Sequence, residues 1–348
     1  MREINGDLCH IMLAQKAQGK LSFQENNEYQ TWKEEIRQKL CVLIGIDNVK
    51  ANVCDLNVQI ESQEKKDGYM QTRFIFESET GAIVPCYLLV PTKEKKKYPV
   101  AIVLQGHASG AHLSLGEKKW EVDEEYQPCY AMGLQAVENG FAALVLEQRY
   151  MGERRSPESY GKGAPYFGRP HMCAMGALTA FNLGRTVVAE RVWDISRALD
   201  ALKNFEGLDL EKIMITGHSG GGTAAYYAAC LDERVGYVAP SCSFCSYKAS
   251  VMMIEHCACN YIPGVCEWFE MEDLACLIAP RPMTVIAGSL DPIFPIEGVR
   301  ASYEIAEKIY KKAGAAEKCR LVVTENEHHW RSDVVWSVFK EETKKLGL

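Results

Sequence analysis

The sequence predicts an α/β fold: a mostly parallel, doubly wound eight-stranded sheet with an antiparallel start and helices on both faces. Three observations carry this. Apolar runs of strand length recur along all 348 residues and alternate with helical patterns. The first two runs alternate apolar with polar residues and are joined by Ser78-Glu79-Thr80-Gly81, as in an antiparallel hairpin at a sheet edge. The later runs are continuous β-branched or aliphatic segments, the pattern of parallel strands covered on both faces.

In chain order, Tyr29–Ile44 reads as an amphipathic helix with Trp32, Ile36, Leu40 and Leu43 along one face. Residues 1–50 are therefore taken as an N-terminal helical extension and 51–348 as a single catalytic domain. The expected strands are Thr72–Glu77, Ala82–Val90, Tyr98–Gln105, Phe141–Gln148, Lys212–Thr216, Val235–Ser241, Met283–Gly288 and Arg320–Thr324. Helical patterns cover Ala177–Phe205, Thr223–Leu231, Val299–Ala313 and Asp333–Leu346. Two long irregular stretches interrupt this order. One is His107–Tyr130, with Trp120, Tyr126 and Tyr130; the other runs from Arg149 and Tyr150 through Phe167 to His171. Segments of this length are commonly lids or binding loops, so Trp120, Arg149 and Tyr150 are candidate substrate contacts.

The chemistry concentrates in Ile213-Met214-Ile215-Thr216-Gly217-His218-Ser219-Gly220-Gly221-Gly222, a strand that breaks at a glycine-flanked serine ahead of a helix. This Gly-x-Ser-x-Gly arrangement requires nearly side-chain-free residues two before and two after the serine, because the turn is so tight. Ser219 is the candidate nucleophile, with His218 beside it a candidate substrate contact. The partners of such a serine follow in the order acid, then histidine. Met283–Gly288 runs out to Asp291, the candidate acid. Arg320–Thr324 runs out to His328 and His329; His328, the first past the turn at Asn326-Glu327, is the expected general base and His329 the alternative. Tyr98–Gln105 ends at Gly106-His107. Backbone N–H groups of His107 and Gly220 are the expected oxyanion donors, and the His107 imidazole is expected near the substrate.

Composition sets the boundaries. The 39 basic and 46 acidic residues give a net charge of −7, which speaks against nucleic acid as a partner. No apolar run approaches membrane-spanning length, and the acidic N-terminus lacks the apolar core of an export signal, so no membrane partner and a cytoplasmic location are expected. The fourteen cysteines are read as reduced thiols. The tightest grouping, Cys242, Cys245, His256, Cys257, Cys259 and Cys266, is irregular for zinc, so neither a metal nor another cofactor is expected.

Several motifs together resemble one group. They are Gln105-Gly106-His107, Glu147-Gln148-Arg149-Tyr150-Met151-Gly152-Glu153-Arg154, Gly217–Gly222, Asn260-Tyr261-Ile262-Pro263-Gly264, Ala279-Pro280-Arg281-Pro282, Asp291-Pro292-Ile293-Phe294 and Glu327-His328-His329-Trp330. In this set and order the chain resembles bacterial α/β-hydrolases of the acetyl xylan esterase and dienelactone hydrolase-like superfamily. The resemblance implies an α/β-hydrolase fold with lid-like insertions and a serine carboxylesterase that deacetylates a small or carbohydrate-derived ester. Ser219, Asp291 and His328 match the family's nucleophile, acid and base. Relatives with dienelactone hydrolase activity carry cysteine where this chain has Ser219. The expected partner is a small-molecule or oligosaccharide ester, and a homo-oligomer is compatible with these features. The alternatives are an acyl-peptide or prolyl-type serine peptidase and an acyltransferase. Only about 70 residues precede the sheet, too few for the propeller that covers many such peptidases.

Overall fold

Apolar strands buried along nearly their whole length build the centre of the sheet that carries the site. The computed structural model describes residues 6–93, 97–155 and 172–345. The strands are β1 (Gln59–Lys66), β2 (Tyr69–Glu77), β3 (Ile83–Pro91), β4 (Tyr98–Leu104), β5 (Ala142–Leu146), β6 (Leu208–His218), β7 (Val235–Ser241), β8 (Met283–Gly288) and β9 (Cys319–Thr324). They form one sheet in the order β1-β2-β3-β5-β4-β6-β7-β8-β9. Antiparallel pairing links β1 to β2, β2 to β3 and β3 to β5, and the remaining neighbours are parallel.

Among the described residues, nine strands stand where eight were expected. The additional one, β1, is Gln-Ile-Glu-Ser-Gln-Glu-Lys-Lys, exposed at every position. An edge strand with no buried face needs no apolar alternation, and its charges protect the open edge against pairing with other chains. The hairpin at the antiparallel start appears as expected, with Tyr69 opposite Pro91 and Glu77 opposite Ile83.

The helices are α1 (Leu8–Lys16), α2 (Tyr29–Ile44), α3 (Ile46–Lys50), α4 (Met132–Glu138), α5 (Cys173–Asn182), α6 (Val187–Ala201), α7 (Gly220–Leu231), α8 (Ala275–Ile278), α9 (Ile296–Lys312) and α10 (Ser332–Lys345). The single helix expected over Ala177–Phe205 is two. Gly184 turns the chain at φ +66°, and Thr186 then caps α6 by accepting from the Ala189 N–H at 3.1 Å. The two faces of the sheet bury separate cores. One takes Trp32, Ile36, Leu40 and Ile44 of α2 together with α6, α7 and α9; the other takes Met132 and Ala136 of α4 with Trp336 and Phe339 of α10. The N-terminal helix α2 thus shares the main core rather than standing apart from it. No described helix is long and apolar enough to cross a membrane.

This winding brings the C-terminal ends of the parallel strands to one rim. The chain leaves β6 directly into α7, while β4, β8 and β9 open into loops on the same side. In open α/β sheets this is where ligands bind.

Candidate active site

Ser219 sits between β6 and α7 with φ 54° and ψ −124°. A side-chain-bearing residue in that region costs on the order of 1–3 kcal/mol and persists only when its surroundings enforce it. Here they do. The Ser219 N–H donates to the Ser241 carbonyl of β7 at 2.9 Å, and its carbonyl accepts from the Thr223 N–H at 2.9 Å. A Cβ on Gly217 would lie 2.4 Å from the Gly221 carbonyl carbon. One on Gly221 would lie 2.2 Å from the Leu104 carbonyl oxygen. The glycines are required by close backbone approach to β4 and to each other.

Asp291, three residues past β8, and His328, four past β9, meet across the loops. His328 Nδ1 lies 2.7 Å from Asp291 Oδ2. The other Asp291 oxygen accepts from the N–H groups of Ile293 and Phe294 at 2.9 and 3.0 Å. Burial works to raise the Asp291 pKa, but the hydrogen bond and charge of His328 and these two amides hold it below the usual carboxylate value. An ionised carboxylate is an acceptor only, so the bond fixes the proton of His328 on Nδ1 and leaves Nε2 as the basic nitrogen. The Phe294 ring stacks on His328 at 5.8 Å between centroids.

His218, Ser219, His328 and His329 all line one cleft of about 480 Å³. Gly106 and His107 enter it from the loop after β4. A Cβ on Gly220 would meet the His107 ring at 2.4 Å, so residues 107 and 220 are in direct apposition beside the serine. Gly220 opens α7, and the first N–H groups of a helix have no intrahelical acceptor. Tyr126, Tyr130, Glu125, Glu255, His256, Cys257, Asn260 and Ile293 complete the described wall.

The nearby sequence-predicted residues separate into two groups. His218 is in the cleft, buried between Tyr130 (5.5 Å, edge-on) and His328 (4.7 Å). Burial, and then the charges of His328 and His329, push its pKa well below the usual value, so it is a neutral wall. Trp120, Arg149 and Tyr150 are not among the described residues of the wall. Trp120 packs edge-on against His112 at 5.2 Å. Asp123 ties that loop together, accepting from the N–H groups of Lys119 and Trp120 and from Ser109, with His112 Nε2 at 2.8 Å. Arg149 is committed to Asp194 at 2.9 Å and Glu79 at 2.6 Å, a buried ion network. The Tyr150 hydroxyl lies 3.0 Å from Glu190. These side chains carry charges and rings that must be satisfied inside the protein. Phe167 and His171 of the same stretch lie outside the described residues. Conversely, sequence reasoning did not find Glu125, Glu255 and His256 as cleft residues. His256 Nε2 lies 2.9 Å from the Ser250 hydroxyl and 3.2 Å from the Ile293 carbonyl.

The cysteine grouping that the sequence marked as irregular for zinc is divided between two places. Cys242 belongs with Asp291 and His328, whereas Cys257 and Cys259 join His107 and Cys173. All described cysteines are unpaired thiols.

Fold and rim geometry define the class: an α/β-hydrolase-fold protein with a serine elbow. Residues 6–330 match the model of the Abhydrolase family, described by the name Abhydrolase_7, and the chain belongs to that family of hydrolases. It is 24% identical over 254 residues, 72% of this chain and 79% of the other, to a Bacillus subtilis (strain 168) protein described as "Putative hydrolase YtaP". Among solved structures it is similar to a Bacteroides fragilis NCTC 9343 protein named as a "putative acetyl xylan esterase", with TM-score 0.79, 14% identity, and 98% and 95% of the two chains covered. A glucuronoyl esterase from Solibacter usitatus gives TM-score 0.64 at 16% identity, covering 94% and 96%. At these identities the structural likeness establishes the fold.

Proposed function

We propose that the protein is a serine carboxylesterase that removes a small acyl group, acetyl above all, from a hydroxyl-rich or carbohydrate-derived alcohol. The observation that carries this is the 2.7 Å contact of Asp291 with His328, which lines the same cleft as a serine at positive φ. Ser219 Oγ attacks the ester carbonyl as His328 Nε2 accepts its proton. The imidazolium is stabilised by Asp291, and the developing oxyanion is held by the N–H groups of His107 and Gly220. The protonated His328 returns its proton to the leaving alcohol. It then takes one from a water molecule that attacks the acyl-enzyme, and passes that proton to Ser219 Oγ as the acyl–oxygen bond breaks and the acid leaves.

Two features support the substrate class. The wall offers Tyr126, Asn260, Glu125 and Glu255 to hydroxyl groups, and its carboxylates disfavour an anionic substrate. The two structural relatives are named as an acetyl xylan esterase and a glucuronoyl esterase. The test is a panel of nitrophenyl esters of increasing acyl length, followed by acetylated sugars. Acetyl esters should surpass octanoyl esters in kcat/KM, because a narrow acyl pocket excludes extra methylenes by clash. Faster turnover of the long chains would instead indicate a lipase-like channel.

A further inference from the structure

His107, Cys173, Cys257 and Cys259 converge from three separate segments. His107 comes from the loop after β4, Cys173 is the first residue of α5, and Cys257 and Cys259 precede and lie within the short turn Ala258–Asn260. Their four ligand atoms all lie within 4.8 Å of one another. His107 Nε2 and Cys259 Sγ are 2.9 Å apart. A tetrahedral zinc site with Zn–S bonds of about 2.3 Å has ligand–ligand edges of roughly 3.7 Å, so the four atoms need shifts well under a side-chain rotamer change to surround an ion. All three thiols are buried.

A second, independent observation points to negative charge at this point. Arg191 of α6 is 4% exposed, and among the described residues no carboxylate pairs with it. Its guanidinium instead donates to Cys173 Sγ at 3.1 Å, to Cys259 Sγ at 3.6 Å and to the Arg149 carbonyl at 3.3 Å. A buried cation without an anionic partner is strongly unfavourable. Three thiolates and a divalent ion sum to one negative charge, which Arg191 would neutralise.

We infer that His107, Cys173, Cys257 and Cys259 form a structural site for zinc or a similar soft divalent ion, with Arg191 as its counter-charge. Four protein ligands leave no open coordination position, so the ion takes no part in ester chemistry. It would anchor the imidazole of the residue whose backbone N–H is proposed to hold the oxyanion. This departs from the metal-free expectation drawn from sequence, where spacing could show only the Cys257-x-Cys259 half of the set. The proposed esterase activity enters only through His107's backbone role, and metal binding is measured without substrate.

Full-length protein purified under reductant should carry near-stoichiometric zinc by elemental analysis, or take it up on reconstitution. Cobalt loading should give the thiolate charge-transfer and tetrahedral ligand-field bands. Cys173→Ser with Cys257→Ser should abolish both, while Cys41→Ser on α2 leaves them intact. Should the double variant not fold, X-ray absorption on the zinc-loaded wild-type protein decides, with three sulfurs and one nitrogen expected. Three outcomes would overturn the site: no metal bound after reconstitution, a cobalt spectrum without thiolate bands, or mass spectrometry showing Cys173 in a native disulfide with Cys257 or Cys259.

Discussion

Gly221→Ala tests whether the elbow is held by steric contact with β4. The added Cβ would stand 2.2 Å from the Leu104 carbonyl oxygen and 2.4 Å from that of Gln105. Ordinary contact begins near 3.4 Å, so 3.4 minus 2.2 leaves about 1.2 Å to be opened between two backbone segments, neither of which can rotate away. Forced overpacking of this kind costs about 1–3 kcal/mol. Displacing a catalytic group by about 1 Å can cost on the order of 10²-fold in rate. The variant should therefore lose about 10²-fold in kcat/KM on an acetyl ester and unfold at lower urea concentration. Gly236→Ala in β7 is the control, because its Cβ would meet only the Ile213 carbonyl oxygen at 3.4 Å. There, a smaller unfolded-state entropy should leave stability equal or raised by about 0.5 kcal/mol. If Gly221→Ala matches wild type in both stability and kcat/KM, the steric argument fails.

Ser219→Ala and His328→Ala should each lower ester turnover by about 10³-fold or more, since such residues act as a unit, whereas His329→Ala should cost far less. The reverse ranking of the two histidines in steady-state assays would reassign the base. Asp291→Asn should keep the fold yet lower kcat by about 10⁴-fold, because the amide favours the wrong imidazole tautomer. Glu147 is fully buried and accepts from the Ala111 N–H at 3.1 Å, and burial raises its pKa to about 7. Its folded pKa lies above the unfolded one, so its contribution is present at low pH and is lost as pH rises from about 4.5 to 7. Over that window wild type should lose up to about 3 kcal/mol relative to Glu147→Gln, read as a difference between their urea unfolding curves. Parallel pH profiles for the two proteins would show that Glu147 does not titrate there.

The elbow was legible in the sequence because its causes are local. A tight strand-to-helix turn dictates glycine at 217 and 221 whatever the rest of the chain does. Asp291 and His328 were legible because parallel strands end on one rim, so residues just past β8 and β9 must approach it. The strand β1 was not, since a fully exposed edge strand leaves no apolar period. The partners of Arg149 and Tyr150 were not legible, because loop position does not show which buried carboxylates claim a side chain, and here Asp194, Glu79 and Glu190 do. The His107 and Cys173 cluster was invisible for a related reason. Its members are brought together by α5 and the loop after β4, not by spacing.

Ser219 is proposed as the nucleophile activated in this cleft. Reaction of the full-length protein with a fluorophosphonate, followed by peptide mapping, tests it most directly. One phosphonyl group per chain on Ser219, loss of ester turnover in step with labelling, and no label in Ser219→Ala are expected. Full esterase activity in a completely labelled protein, or equal labelling of Ser219→Ala at another residue, would contradict it.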